Sequence, residues 1–315
     1  MKRRRLLALS GAAASSHALS ANAQRSALPR VGFLMAGEPE PMWTQFRKAM
    51  ADLGYIEDRT VKYEVRVADA GRLGPFAASL VELNVDVIVA VLSPAIAAAK
   101  AATAKIPIIF NGGAPETGTV TNFARPEGNL TGVWGATSIL AGKSVQLFHE
   151  IKPTTKALGV LLNAPDPFHV PLQKEIEAVG RAQKIDIMPR MLKSRDELPA
   201  AYDEMVRRGV DGVLVQPSLP LETAAALAVQ HRLAGISFRR EFAVAGGLLA
   251  LGADQVDINR MVAGYVDKVL KGSKTVDLPV LQATKFEMVV NRKTARSLGL
   301  DLSPMFLTRA DEVIE

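Results

Sequence analysis

The chain has 315 residues, enough for two α/β domains that each bury a core of their own. Hydrophobic residues make up 48% and charged residues 22%, a balance that excludes a disordered chain. Lys2, Arg3, Arg4 and Arg5 supply most of the formal net charge of +6, so the remainder is near neutral. With no zinc-finger spacing and no clustered basic helix either, a nucleic-acid partner is excluded.

Residues 1–23 read as an export signal. Lys2–Arg5 form a positive head, Leu6–Ala14 a short apolar stretch, and Ala21-Asn22-Ala23 a small-x-small cleavage site that places a mature N-terminus at Gln24. Adjacent arginines followed by Leu6-Leu7 suit the twin-arginine route, and the general secretory route is equally open. The stretch is too short and too rich in Ser and Gly to span a bilayer. The chain has no cysteine, so neither a disulfide nor a lipid anchor on cysteine is expected. These features predict a protein free in the periplasm of a Gram-negative cell.

Beyond Gln24, short apolar runs alternate with amphipathic stretches. Strands are expected at 31–35, 61–67, 85–92 and 106–110, with helices at 42–53, 73–83 and 94–103. The near-continuous apolar run from Val85 to Leu92 suits a parallel strand covered on both faces. Ser93 is expected to cap the helix that Pro94 opens. From Ala114 to Ala136 the alternation stalls among Gly and Pro, which reads as a linker between lobes. It resumes with helices at 141–151, 171–183, 197–208 and 221–233, and with strands at 157–162, 185–192, 210–215, 235–238 and 248–251. The pattern predicts two parallel sheets of βαβ units, with a ligand cleft between their strand ends.

The C-terminal third carries a family likeness. Gly252-Ala253-Asp254, the run Ala263-Gly264-Tyr265-Val266-Asp267-Lys268, Asp277-Leu278-Pro279-Val280, Asn291-Arg292-Lys293-Thr294-Ala295 and the ending Arg309–Glu315 stand in that order. Together with Arg30–Leu34, Ala99–Thr103 and Arg125–Val133, they resemble the ABC transporter substrate-binding family related to tryptophan-binding components. The resemblance implies an α/β type I periplasmic-binding-protein fold, in which two doubly wound parallel-sheet lobes are joined by several crossovers. It divides the chain into a first lobe of residues 24–134 plus about 252–280 and a second of 135–251 plus about 281–315. It also implies that Gly252-Ala253-Asp254 belongs to a hinge or cleft wall. Asp254 stands where relatives often carry Asn.

Candidate ligand contacts are polar residues just after strand ends: Ser93, Asn111, Asn163 and Gln216. Each can hydrogen-bond a buried ligand, and Ser93 leads into a helix start suited to a carboxylate. Capping and turn chemistry also accounts for Ser93 and Asn111. Trp134 offers a stacking face, or packs between the lobes. Arg239, Arg240 and Glu241 follow a strand and either engage a charged ligand or form a solvated loop. Asp254, if it faces the cleft, receives an amino group. No catalytic residue, metal or cofactor is expected. His149, His169 and His231 have no metal-ligand spacing, and P-loop, GxGxxG and GxSxG motifs are absent. Asp166 and His169 sit among Pro165, Pro167 and Pro171, which reads as a loop. The functional expectation is a solute-binding component of an ABC importer. It would hold a small organic ligand, an amino acid or another carboxylate, and deliver it to a membrane permease. The alternative is a sensor that presents bound solute to a membrane receptor.

Overall fold

The computed structural model describes residues 28–315, so the expected export signal and its cleavage site lie outside the described residues. The first lobe opens with β1 (Arg30–Ala36), α1 (Met42–Asp52), β2 (Lys62–Ala68), α2 (Leu73–Glu82), β3 (Val87–Val91), α3 (Ser93–Ala102), β4 (Ile108–Asn111) and β5 (Leu130–Trp134). Every residue of β3 and β4 is buried, as the apolar runs Val87–Val91 and 108–110 require of central strands, with the polar Asn111 at the end of β4. At the sheet edge, β2 is only partly covered.

The second lobe follows with α4 (Thr137–Ile151), β6 (Ala157–Asn163), α5 (His169–Gln183), β7 (Asp186–Leu192), α6 (Leu198–Arg207), β8 (Gly212–Val215), α7 (Leu221–Gln230), β9 (Ala234–Ser237), α8 (Arg240–Val244) and β10 (Leu249–Ala253). The chain then returns to the first lobe for α9 (Gln255–Leu270) and β11 (Leu281–Gln282). It ends in the second lobe with β12 (Phe286–Asn291), α10 (Arg292–Ser297), α11 (Pro304–Leu307) and β13 (Glu312–Ile314). The sheets have the orders β11-β5-β4-β3-β1-β2 and β13-β12-β10-β9-β8-β6-β7. All pairings are parallel except β10 with β12. Each sheet is covered on both faces, giving two apolar layers per lobe. In the first lobe Phe33 and Phe46 anchor the α1/α9 side, and Leu80 and Phe110 the α2/α3 side.

Three features depart from the sequence expectation. The stretch expected to be linker contains β5, an interior strand paired with β4 and β11. Its apolar run is broken by Thr131 and Gly132. Thr131 is spent on a hydrogen bond to the Leu278 carbonyl (2.7 Å), and a Cβ at residue 132 would strike the backbone of Phe110. Ser93 does not cap α3 but is its first residue. Leu92 holds the capping position at φ 69°, ψ 156°, and no side chain caps the helix. The lobe boundaries also shift slightly. Gly252 and Ala253 pair with Glu287 and Phe286 in the second sheet, whereas Leu281 and Gln282 pair with Val133 and Trp134 in the first.

The crossovers therefore fall at residues 135–136, 254 and 283–285. They lie side by side, because the Asp254 N–H donates to the Lys285 carbonyl (3.0 Å) and the Ala283 N–H to that of Trp134 (2.8 Å). Adjacent crossovers of this kind form a hinge at the base of the cleft.

Candidate functional site

A narrow cavity of about 50 Å³, open to solvent on one side, lies between the lobes where the strands of both sheets end. On the first lobe its wall is built from the ends of β3 and β4. Leu92 adopts a backbone conformation natural only to glycine, at a cost of about 1–3 kcal/mol. Its N–H is bonded to the Asn111 carbonyl (2.8 Å), and the next residue, Ser93, lines the cavity. Asn111 also lines it, its amide touching Met42 Sδ at 3.6 Å. Gly113 allows the lobes to meet closely, since a Cβ there would lie 2.9 Å from the ring of Phe168 across the cleft.

On the second lobe, Asp166 lies just beyond β6 and is 2% exposed. One carboxylate oxygen accepts from the Phe168 N–H (2.9 Å), and the other from Gln216 Nε2 (2.8 Å) and the Ser218 hydroxyl. Asn163 completes the network. Its N–H donates to Gln216 Oε1 (2.9 Å), and its side-chain amide donates to Ser218 (3.1 Å to Oγ). Burial pushes the Asp166 carboxyl above the usual carboxylate range, and the three donors and His169 partly oppose that shift. A carboxylate has about four acceptor positions, so three donors leave room for one more. Arg239, after β9, also lines the cavity, and among the described residues its guanidinium has neither hydrogen bond nor ion pair. Burial lowers its pKa and the charge of Glu241 opposes that, but guanidinium stays charged. Phe168, Phe238 and Ile258 supply apolar wall.

Of the six residues singled out from sequence, Ser93 and Asn111 line the cavity. Asn163 and Gln216 stand one layer behind it and hold Asp166. The structure places Trp134 and Asp254 elsewhere. The ring of Trp134 packs 5.8 Å from that of Phe123 and joins the α2/α3 core, because β5 is a paired strand and not an open linker. Asp254 caps α9, its carboxylate accepting from Val256 N (2.9 Å) and Asp257 N (3.1 Å), and its neighbours Ala253 and Gln255 face the cleft instead. Arg240 is also outside the cavity, bonded in a fork to Glu312 (2.6 and 2.7 Å). Asp166 and Arg239 are the charged groups of the cavity wall. Both follow strands, which was the one signal available for them. Together they offer an acceptor for a cation and a donor fork for an anion, separated by aromatic and aliphatic surface.

Two α/β lobes, three crossovers and a polar cleft at the strand ends define a hinged solute-binding protein. Residues 42–314 match the model of the family described as ABC transporter substrate binding protein, and the chain belongs to that family. It is similar to a tyrosine-binding protein of Clostridioides difficile, at 23% identity over 81% of this chain and 75% of that one. Two crystal structures share the fold. One is a conserved domain protein from Vibrio cholerae (TM-score 0.83, 22% identity, 91% of this chain and 100% of that one). The other is an ABC domain in complex with L-Trp from Streptococcus pneumoniae (TM-score 0.82, 23% identity, 91% and 100%).

Proposed function

We propose that this protein is the exported, non-enzymatic capture component of an ABC importer, and that its ligand is an α-amino acid with an apolar, aromatic side chain. The observation that carries this reading is the pair of opposite charges in one cavity: a buried Asp166 with an acceptor position to spare and an Arg239 without a partner. In this reading the ligand ammonium meets Asp166, its carboxylate meets Arg239 and Ser93, and its side chain lies against Phe168 and Phe238. A zwitterion pairs the buried carboxylate and the partly buried, unpaired guanidinium at once, which neither an amine nor a carboxylic acid alone achieves. Relatives whose names record tyrosine binding and bound L-Trp support the same ligand class. Export rests on the Lys2–Ala23 pattern, with the periplasm as the site of action and a membrane permease as the partner that receives the solute.

The test is a thermal-shift screen of the purified protein against the amino acids, since a ligand that binds only the folded state raises Tm. L-Tryptophan, L-tyrosine or L-phenylalanine should raise it, and Arg239→Ala should abolish the rise. A rise with sugars and none with amino acids would overturn the reading.

A further inference from the structure

Two contacts cross the cleft without lining the ligand cavity. At its outer mouth, Arg195, between β7 and α6 of the second lobe, reaches Glu38 (3.2 Å) and Asp69 (3.8 Å), which follow β1 and β2 of the first. All three side chains are 41–49% exposed, so the cluster is open to dissolved salt. At the inner edge, Glu116 of the first lobe accepts from the Ser138 N–H (2.7 Å) in the first turn of α4, a helix of the second lobe. No side chain caps that helix from its own lobe, because its capping residue is Ala136 in a left-handed conformation (φ 52°). The cap is therefore supplied from across the cleft, where a carboxylate also meets the positive end of the helix dipole. When the lobes separate, the helix loses its cap and Arg195 loses both acids.

We infer that Glu116 and Arg195 are closure clasps, positioning residues that favour the shut cleft in the absence of ligand and so raise affinity for a solute they do not touch. A ligand that binds only the shut form gains affinity in proportion to how much of that form already exists. The Arg195 clasp is screened by salt, whereas the Glu116 clasp, shorter and less exposed, is screened far less. The inference builds on the cleft being a capture site, but its distance measurements need no ligand and so fail or stand separately.

The chain has no cysteine, so Glu82→Cys on α2 and Lys174→Cys on α5 give a unique pair of spin-label sites, one per lobe. Distance distributions are recorded without ligand, in low salt and in about 1 M salt, where the screening length is about 3 Å. The labelled parent should show a short-distance population that shrinks in high salt. Arg195→Ala should shrink it in low salt and remove the salt effect, and Glu116→Ala should shrink it in both salts. Matched thermal unfolding of all variants shows that each is folded. With L-tryptophan as probe, Arg195→Ala should weaken binding about two- to fivefold, and Glu116→Ala about fivefold. A single open distance in the ligand-free parent, or variants whose distributions match the parent, would overturn the inference.

Discussion

Asp166 shows how a residue's surroundings set its chemistry. It was legible in the sequence only as one acid among three prolines, and local pattern made it a loop residue. What buries it is distant in sequence: Gln216 and Ser218 arrive from the end of β8, and Asn163 locks both. Asp254 is the converse case. An Asp three residues ahead of Asp257, just before an amphipathic run, is an ordinary helix cap, and the local signal was the better guide to it. Two predictions belong to this scale. Because the Asp166 pKa is raised, its ionised form is lost at a higher pH than for an ordinary carboxylate. Affinity for an amino acid, measured calorimetrically, should therefore fall as the pH drops from neutral, well before the usual carboxylate range near 4 is reached. Asp166→Asn should weaken that affinity by about 2 kcal/mol or more at neutral pH, because an ammonium would lose its charged partner. Equal affinity in the variant would remove Asp166 from the site.

At the scale of elements, the strands with uninterrupted apolar runs were legible at once, since burial on both faces leaves no room for polar residues. β5 was not, because Gly132 answers to the approach of the neighbouring strand rather than to strand propensity. Gly132→Ala should destabilise the protein by about 3 kcal/mol in thermal unfolding, the upper end for overpacking, because the obstacle is backbone and cannot swing aside. The antiparallel β10/β12 pair carries a second consequence. Glu287 on β12 is pushed up to about 7, first by burial and then by the nearby charges of Asp254 and Glu241. A raised pKa means that the protonated form suits the fold. The associated stability is complete below the ordinary glutamate range and is lost as the pH rises through about 7. Partial exposure limits the effect to about 1 kcal/mol, a few degrees in Tm. Glu287→Gln should remove that part of the pH dependence, and an unchanged Tm profile would contradict the assignment.

The two-lobed plan was legible in the whole molecule because the alternation of strands and helices stalls once and restarts. The other two crossovers were expected near residues 252 and 281 from family resemblance, and strand pairing puts them at residues 254 and 283–285. Which charges meet across the cleft was not legible, because their meeting depends on how the lobes face each other. With the hinge at one end and Asp166, Arg239, Phe168 and Phe238 lining the cleft, the proposed function is closure around a ligand that carries both charges and an apolar body. Calorimetric titration of the purified protein with L-tryptophan, tryptamine and indole-3-propionate compares the zwitterion with analogues that lack the carboxylate or the ammonium. L-Tryptophan should bind with a 1:1 stoichiometry, and each analogue should bind more weakly by about 2 kcal/mol or more. An analogue that binds as tightly as the amino acid, or an amino acid that does not bind at all, would contradict this account of the cleft.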